Sequence, residues 1–347
     1  MASEPAAKFP TTIPAVVTRA GGPIEGPESL VDTTIPAPGP ASGHDLLVDV
    51  QAISVNPVDT KLRVAGPGEA GERVLGWDAS GIVLAVGPQT SLFQAGDEVY
   101  YAGSIDRPGS YQRIQLVDER IVARKPISLS HEQAAAMPLT GLTAWEGLFD
   151  KFGLEKRSRG TLLVIGAAGG VGSMVIQLAK ALTGLTVIAT ASRPQSQAWV
   201  RELGADHLVD HHDPQLAQHI RQLAPEGVDY IYSTHSAGLT SLFASVTRPF
   251  GHILATDEPT DIDYLALKDK ALSWHWEFMF ARPLNHAADL VRQHEILERI
   301  AQLVDSGTLR TTLTAVAGPV DARHLRAAHA DLEAGHVRGK MALSWQD

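Results

Sequence analysis

The chain has 347 residues, 44% of them apolar and 20% charged. That balance suits a soluble globular protein of two domains and excludes long disordered, collagen-like or fibrous architectures. Its 29 basic and 39 acidic side chains give a formal charge of −10 and form no basic patch, which argues against nucleic-acid or anionic-membrane partners. The absence of cysteine removes disulfides, thiol nucleophiles and Cys-ligated zinc.

The first residues, MASEPAAKFPTTIP, lack the basic flank and apolar core of a signal peptide, so a cytoplasmic location is expected. From residue 13 to 123, short β-rich runs alternate with Gly and Pro: AVVTR, LLVDVQAIS, RVLGWDASGIVLAVG, DEVYYAG and YQRIQLVD. Such punctuation predicts a compact all-β module, a small barrel. Ser130 and Gln133 are spaced as a capping box and predict a helix start.

Residues 161–179, the most apolar stretch, are nearly long enough to span a bilayer, but their glycine-rich centre divides them into a strand, a turn and a helix. Strands and helices then alternate: LLVI, 170–183, TVIAT, 194–203, HLV, 214–223, VDYIYS, 237–246 and HILAT. This order predicts a doubly wound parallel sheet. Pro194 and Pro214 suit first helical turns, Asp213 a cap, and Gly204 a left-handed helix end. The run Trp274 to Phe280 alternates, which predicts a strand with Trp274, Trp276, Phe278 and Phe280 on one face. A helix at 285–306 ended by Gly307, the strand TLTAVA, a helix capped by Asp321 and the strand KMALSW complete the chain.

Gly166-Ala167-Ala168-Gly169-Gly170-Val171-Gly172 falls between the strand Leu162 to Ile165 and a helix. Glycines there permit a tight turn and let backbone N–H groups approach a pyrophosphate at a helix N-terminus, so the segment is read as a dinucleotide site. The second strand should end in a carboxylate if it binds an unphosphorylated adenosine ribose. It ends instead in Thr190-Ala191-Ser192-Arg193, two hydroxyls and a guanidinium suited to a 2′-phosphate, which favours NADPH.

Taken together, Asn56-Pro57-Val58-Asp59, Gly76-Trp77-Asp78-Ala79-Ser80-Gly81, Gly96-Asp97-Glu98-Val99, Pro138-Leu139-Thr140-Gly141-Leu142-Thr143-Ala144, the glycine-rich turn and Gly339-Lys340 resemble the medium-chain dehydrogenase/reductase superfamily. The similarity is greatest to its zeta-crystallin-like quinone oxidoreductases, also called zinc-type alcohol dehydrogenase-like proteins. This resemblance implies an α/β protein with a GroES-like β-barrel catalytic domain at 1–132 and 285–347 and a Rossmann domain at 133–284. It also implies that Thr143, His211 and Lys340 join Gly166, Ala168, Gly169, Gly170, Val171, Gly172, Thr190, Ser192 and Arg193 around the cofactor. A homodimer through the 274–280 strand follows from the same likeness, with a core-only role for those aromatics as the alternative.

Zinc-dependent members of this family carry a cysteine near the position of Asn56 and Gly-His-Glu where this chain has Gly76-Trp77-Asp78. No metal site is therefore expected, and His207, His211 and His212 read as solvated or cofactor-adjacent. Many relatives have Asn-x-x-Asp-x-Tyr, whereas the tyrosine position holds Lys61, either a cationic replacement or a cleft-edge residue. The chemistry that remains is metal-free hydride transfer to a quinone or α,β-unsaturated carbonyl. Asn56, Lys61 and backbone N–H groups are the candidate oxyanion donors, and Asp59 either orients them or stabilises the turn. A NADPH-binding protein with little turnover and a zinc-dependent alcohol dehydrogenase are the competing expectations.

Overall fold

The computed structural model describes residues 10–346. Its six-stranded parallel sheet arises from the βα alternation, and in space the strands run His207–Val209, Thr186–Thr190, Thr161–Ile165, Val228–Ser233, Thr247–Ala255 and Ser273–Trp276. In chain order that is third, second, first, fourth, fifth, sixth, so the order reverses beside the first strand. A crevice opens at such a switch point, outside the carboxyl ends of the strands. Alternation along each strand fills both faces. Leu162, Val164, Val187 and Ala189 enter a core shared with the β-rich part, and Leu163, Ile165, Ile188 and Ile231 enter a second core beneath the sheet.

The β-rich part holds a seven-stranded sheet built around Asp45–Ser54, with a three-stranded sheet beside it. Gly76, at φ 96°, breaks the predicted run 73–87. Arg73–Val74 pairs with Thr12–Thr18, while Ala79–Val86 pairs with Asp45–Ser54. The C-terminal strand Lys340–Ser344 is antiparallel to Asp45–Ser54, and Leu313–Pro319 runs parallel to it on its other side. Residues from both ends of the chain thus share one sheet.

Several expected boundaries move. The capping box forms as read, Gln133 N–H donating to Ser130 Oγ at 3.3 Å and Ser130 N–H to Gln133 Oε1 at 3.0 Å, but the helix it opens covers only His131–Ala135. The helices expected at 214, 237 and 285 begin at Leu216, Thr240 and Arg292. Asp213 accepts from Gln215 N–H in a turn just ahead of the first of these. The strand at Trp274 stops at Trp276, so its aromatics do not share one face. Phe280 packs edge-on against Trp77 in the core, with ring centroids 6.3 Å apart, whereas Trp276 and Phe278 stay exposed. The strand Val31–Pro36 and the helix Pro57–Ala65 carry no clear mark in the sequence.

Candidate functional site

The glycine-rich turn sits where the strand order reverses. Gly166 has φ 72°, and a Cβ there would strike the Thr234 hydroxyl, so the turn requires glycine on both counts. Gly169 is extended at φ −75° and opens the helix Gly170–Leu182, and Gly172 packs against Ala167 with no room for a side chain. The first-turn N–H groups at Gly170, Val171 and Gly172 have no acceptor within the helix, which leaves a positive pole at the turn. Gly166 N–H donates to Thr190 Oγ1 at 3.1 Å, and that hydroxyl donates to Val164 O at 3.1 Å. Thr190 therefore holds the turn in place. The Thr143 hydroxyl likewise donates within its own helix, to Leu139 O at 2.8 Å.

Around the mouth of the turn stand Ser192, half-buried, and Arg193, exposed at the start of the helix Pro194–Glu202. Arg193 Nη1 donates to Gly335 O at 3.3 Å. His211 lies against His212 with ring centroids 4.2 Å apart and planes tilted by 48°, and burial, with help from His212, His235 and Arg193, holds its pKa below the usual histidine value. Gly339 N–H donates to Ala168 O at 2.8 Å, so the C-terminal segment closes over the turn, and a Cβ on Gly170 would lie 2.7 Å from Lys340 Cδ.

Lys340 carries the contact inward. Its ammonium is buried and donates to Val55 O at 2.7 Å, Asn56 Oδ1 at 2.5 Å and Asp78 Oδ2 at 3.1 Å. Asn56 Nδ2 donates to Asp78 Oδ2 at 2.8 Å, and so does Ser54 Oγ at 2.7 Å, while Leu139 N–H donates to Asp78 Oδ1 at 2.8 Å. A buried cation thereby neutralises a buried carboxylate with every ammonium proton engaged, the condition under which interior charges are tolerated.

Asp59 lies on the far side of the Asn56 backbone. It accepts from Asn56 N–H at 2.8 Å and from the Tyr111 hydroxyl at 2.9 Å, and Tyr111 in turn meets His329 Nε2 at 3.1 Å. Burial raises the Asp59 pKa to about 7 despite its hydrogen bonds and Lys340. Burial, aided by Arg63, pushes His329 down to about 3.

Among the sequence-predicted residues, Asn56 and Lys340 meet directly and reach the glycine-rich turn through Gly339. Asp59 faces Tyr111 instead. Lys61 is half-exposed and pairs with Glu258, on the segment after the fifth parallel strand. Lys270, just ahead of the last parallel strand, donates from its ammonium to Ser245 O and Thr247 O at 3.2 and 2.8 Å, and Ser273 opens that strand at the amino end of the sheet, away from the glycine-rich turn. Sequence reasoning weighed Asp78 only as a deficient metal ligand and passed over Ser54, Tyr111 and His329. The motif around Trp77 was the available signal for Asp78, and none marked the others.

The donor set does not fit the zinc site that the family resemblance brings to mind. Asn56 and Asp78 are spent on each other, on Ser54 and on Lys340, and Trp77 donates its indole N–H to Ser104 O at 2.9 Å. Among the described residues no three His, Asp or Glu side chains converge to hold a metal ion.

Residues 42–127 match the alcohol dehydrogenase GroES-like domain family, and 203–343 match the zinc-binding dehydrogenase family. The zinc-type alcohol dehydrogenase-like protein of Staphylococcus epidermidis is 43% identical over 87% of this chain and 91% of its own. Human mitochondrial NAD(P)H oxidoreductase RTN4IP1 is 30% identical over 87% of this chain and 82% of its own. Among solved structures, a Rhizobium etli protein described as a candidate zinc-dependent alcohol dehydrogenase has a TM-score of 0.93 and 44% identity, covering 98% of this chain and 100% of its own. The quinone oxidoreductase of Coxiella burnetii gives 0.79 and 26%, covering 96% and 100%. A mycobacterial protein solved with NADPH, Rv1454c, gives 0.82 and 27%, covering 95% and 99%.

Proposed function

Since the chain belongs to the medium-chain dehydrogenase/reductase superfamily as a quinone-oxidoreductase-like member, we propose that this oxidoreductase uses NADPH, without a metal ion, to reduce a quinone or an α,β-unsaturated carbonyl. The observation that carries the reading is the saturated Asp78 carboxylate, held by Ser54, Asn56, Leu139 and Lys340. The charge of this carboxylate is already met by the Lys340 ammonium, which supports a reading without a metal ion. Reduced nicotinamide, when bound, supplies the hydride.

The protein's part is positioning and electrostatics. The turn from Gly166 to Gly172 would hold the pyrophosphate through its N–H groups, and Ser192 and Arg193 would hold the 2′-phosphate. Asn56, extended at φ −135° ahead of Pro57, has one Nδ2 proton beyond its bond to Asp78. Directed at the substrate oxygen, that proton and the Lys340 charge behind it stabilise the oxyanion left by hydride addition. A conjugated acceptor suits so mild a donor set, because its product anion is delocalised. The NADPH-complexed mycobacterial neighbour and the quinone oxidoreductase neighbour support this choice of cofactor and substrate class.

The test is NADPH oxidation against a panel of quinones, enones, aldehydes and alcohols, with and without chelator, alongside elemental analysis. Turnover of quinones or enones that is indifferent to chelator supports the proposal. One tightly bound zinc per chain, with activity lost on its removal, overturns it. A second reading, a NADPH-binding protein with little turnover, is favoured by the burial of Asn56, which is only 1% exposed; tight NADPH binding without turnover of any acceptor would establish it. We further propose a cytoplasmic homodimer joined through the outer edge of the Ser273–Trp276 strand, which ends the parallel sheet. Among the described residues no helix is long and apolar enough to cross a membrane.

A further inference from the structure

We propose that Arg338, stacked on Trp199, is a second guanidinium that grips the 2′-phosphate of NADPH together with Arg193. The inference rests on the NADPH reading above and adds a residue from outside the α/β segment.

Trp199 lies on the second turn of the helix that follows Arg193, and its indole N–H donates 2.8 Å to the hydroxyl of Ser173, in the first turn of the glycine-rich helix. The ring is therefore fixed between the two helix starts that border the adenosine end of a dinucleotide site. Two guanidinium groups stand over it, Arg310 at 5.0 Å and Arg338 at 5.5 Å from the ring centroid. They differ in charge balance. Arg310 is paired with Glu202 at 3.2 Å. Among the described residues Arg338 has no carboxylate partner, and its Nε is buried without any hydrogen-bond partner.

The backbone places Arg338 directly beside the turn. Its neighbour Gly339 donates to Ala168 O, and a Cβ on Gly339 would come within 3.3 Å of the Trp199 ring. Three residues earlier, Gly335 O receives the Arg193 guanidinium. The segment from Gly335 to Gly339 thus forms one wall of the turn's mouth and carries one arginine at its inner end while holding a second at its outer end. Two guanidinium groups without carboxylate partners, one carried and one held by the same five-residue segment, repel each other less when an anion lies between them. A planar fork stacked on an aromatic ring is suited to bidentate phosphate recognition, since its orientation is fixed before the ligand arrives. A 2′-phosphate held this way would link Arg338, in the C-terminal segment, to the α/β sheet.

The experiment is calorimetric titration of the full-length protein with NADPH, NADH, 2′,5′-ADP and 5′-AMP. It compares wild type with Arg338→Met, which keeps the stem against Trp199, and Arg338→Lys, which keeps the charge. Arg338→Met is expected to weaken NADPH and 2′,5′-ADP by about tenfold and to leave NADH and 5′-AMP unchanged, the loss of one charge-assisted contact. Arg338→Lys should recover part of that loss. Equal weakening of NADH and NADPH, or no change in either, overturns the proposal. Wild-type protein that binds 2′,5′-ADP no better than 5′-AMP would overturn the NADPH reading itself. A wild-type preference for 2′,5′-ADP that survives Arg338→Met removes this inference alone.

Discussion

At the scale of single residues, the site turns on whether Asn56 serves the substrate or only its neighbours. Asn56→Ala should lower kcat for a quinone by about ten- to a hundredfold through loss of a transition-state hydrogen bond, with NADPH affinity little changed. If the amide merely satisfies Asp78 and Lys340, thermal stability falls and the turnover of folded enzyme does not, so both are measured on one preparation. Arg193→Ala is expected to cost NADPH binding roughly 1–3 kcal/mol and NADH binding almost nothing; equal losses in a binding titration would contradict it. The turn residues and Asn56 could be singled out from sequence because glycine and Asn-Pro constrain the backbone locally. Asp78 could not be given its place, since the lysine that neutralises it is 262 residues further along the chain.

Among the elements, the helix Pro57–Ala65 explains how a segment escapes periodicity. Its buried residues are Asp59, Thr60 and Arg63, so hydropathy shows no apolar stripe, and Pro57 reads as a turn until it is seen as the first helical residue. What it packs against is the helix Ala322–Glu333, through Asp59, Tyr111, His329 and the Arg63–Glu333 ion pair. This contact makes a pH prediction. His329 falls from 6.5 unfolded to about 3 folded, so between those values the unfolded chain binds the extra proton and stability rises with pH. Asp59 rises from 3.8 to about 7, so across that window the folded chain holds the extra proton and stability falls with pH. The slopes oppose each other, each about 1.4 kcal/mol per pH unit, and cancel where the windows overlap. His329→Gln removes only the rising slope. Its stability relative to wild type should therefore be best near the acid end and decline towards neutrality, as read by urea unfolding at several pH values. A difference that stays constant with pH would refute the assignment.

On the scale of the whole molecule, the doubly wound sheet was legible because each βα unit declares itself within some thirty residues, by alternation, glycine and proline. The β-rich sheet was less so. Strand Val31–Pro36 is half-exposed with a polar sequence, and the break at Gly76 depends on a close approach to Tyr111 that no local pattern reveals. The strand Lys340–Ser344 pairs with Asp45–Ser54 and brings Lys340 to Asp78 across 262 residues of sequence. Ile114–Asp118 covers residues 45–49 on one side of the strand Asp45–Ser54, so Ala52 to Ser54 stay unpaired on that side until a segment nearly 300 residues further along the chain arrives. Closing so distant a pair is slow, and an apolar strand left unpaired invites aggregation. Truncation after residue 336 should therefore yield a protein whose α/β part still folds but whose yield depends on chaperones and low temperature. Supplying the missing residues as a separate peptide during refolding should restore soluble protein, and failure of that rescue would count against a late-closing strand. Because Lys340 and the strand it opens are one segment, a chain cut before residue 340 loses the ammonium that meets Asp78 together with the pairing of Ala52 to Ser54.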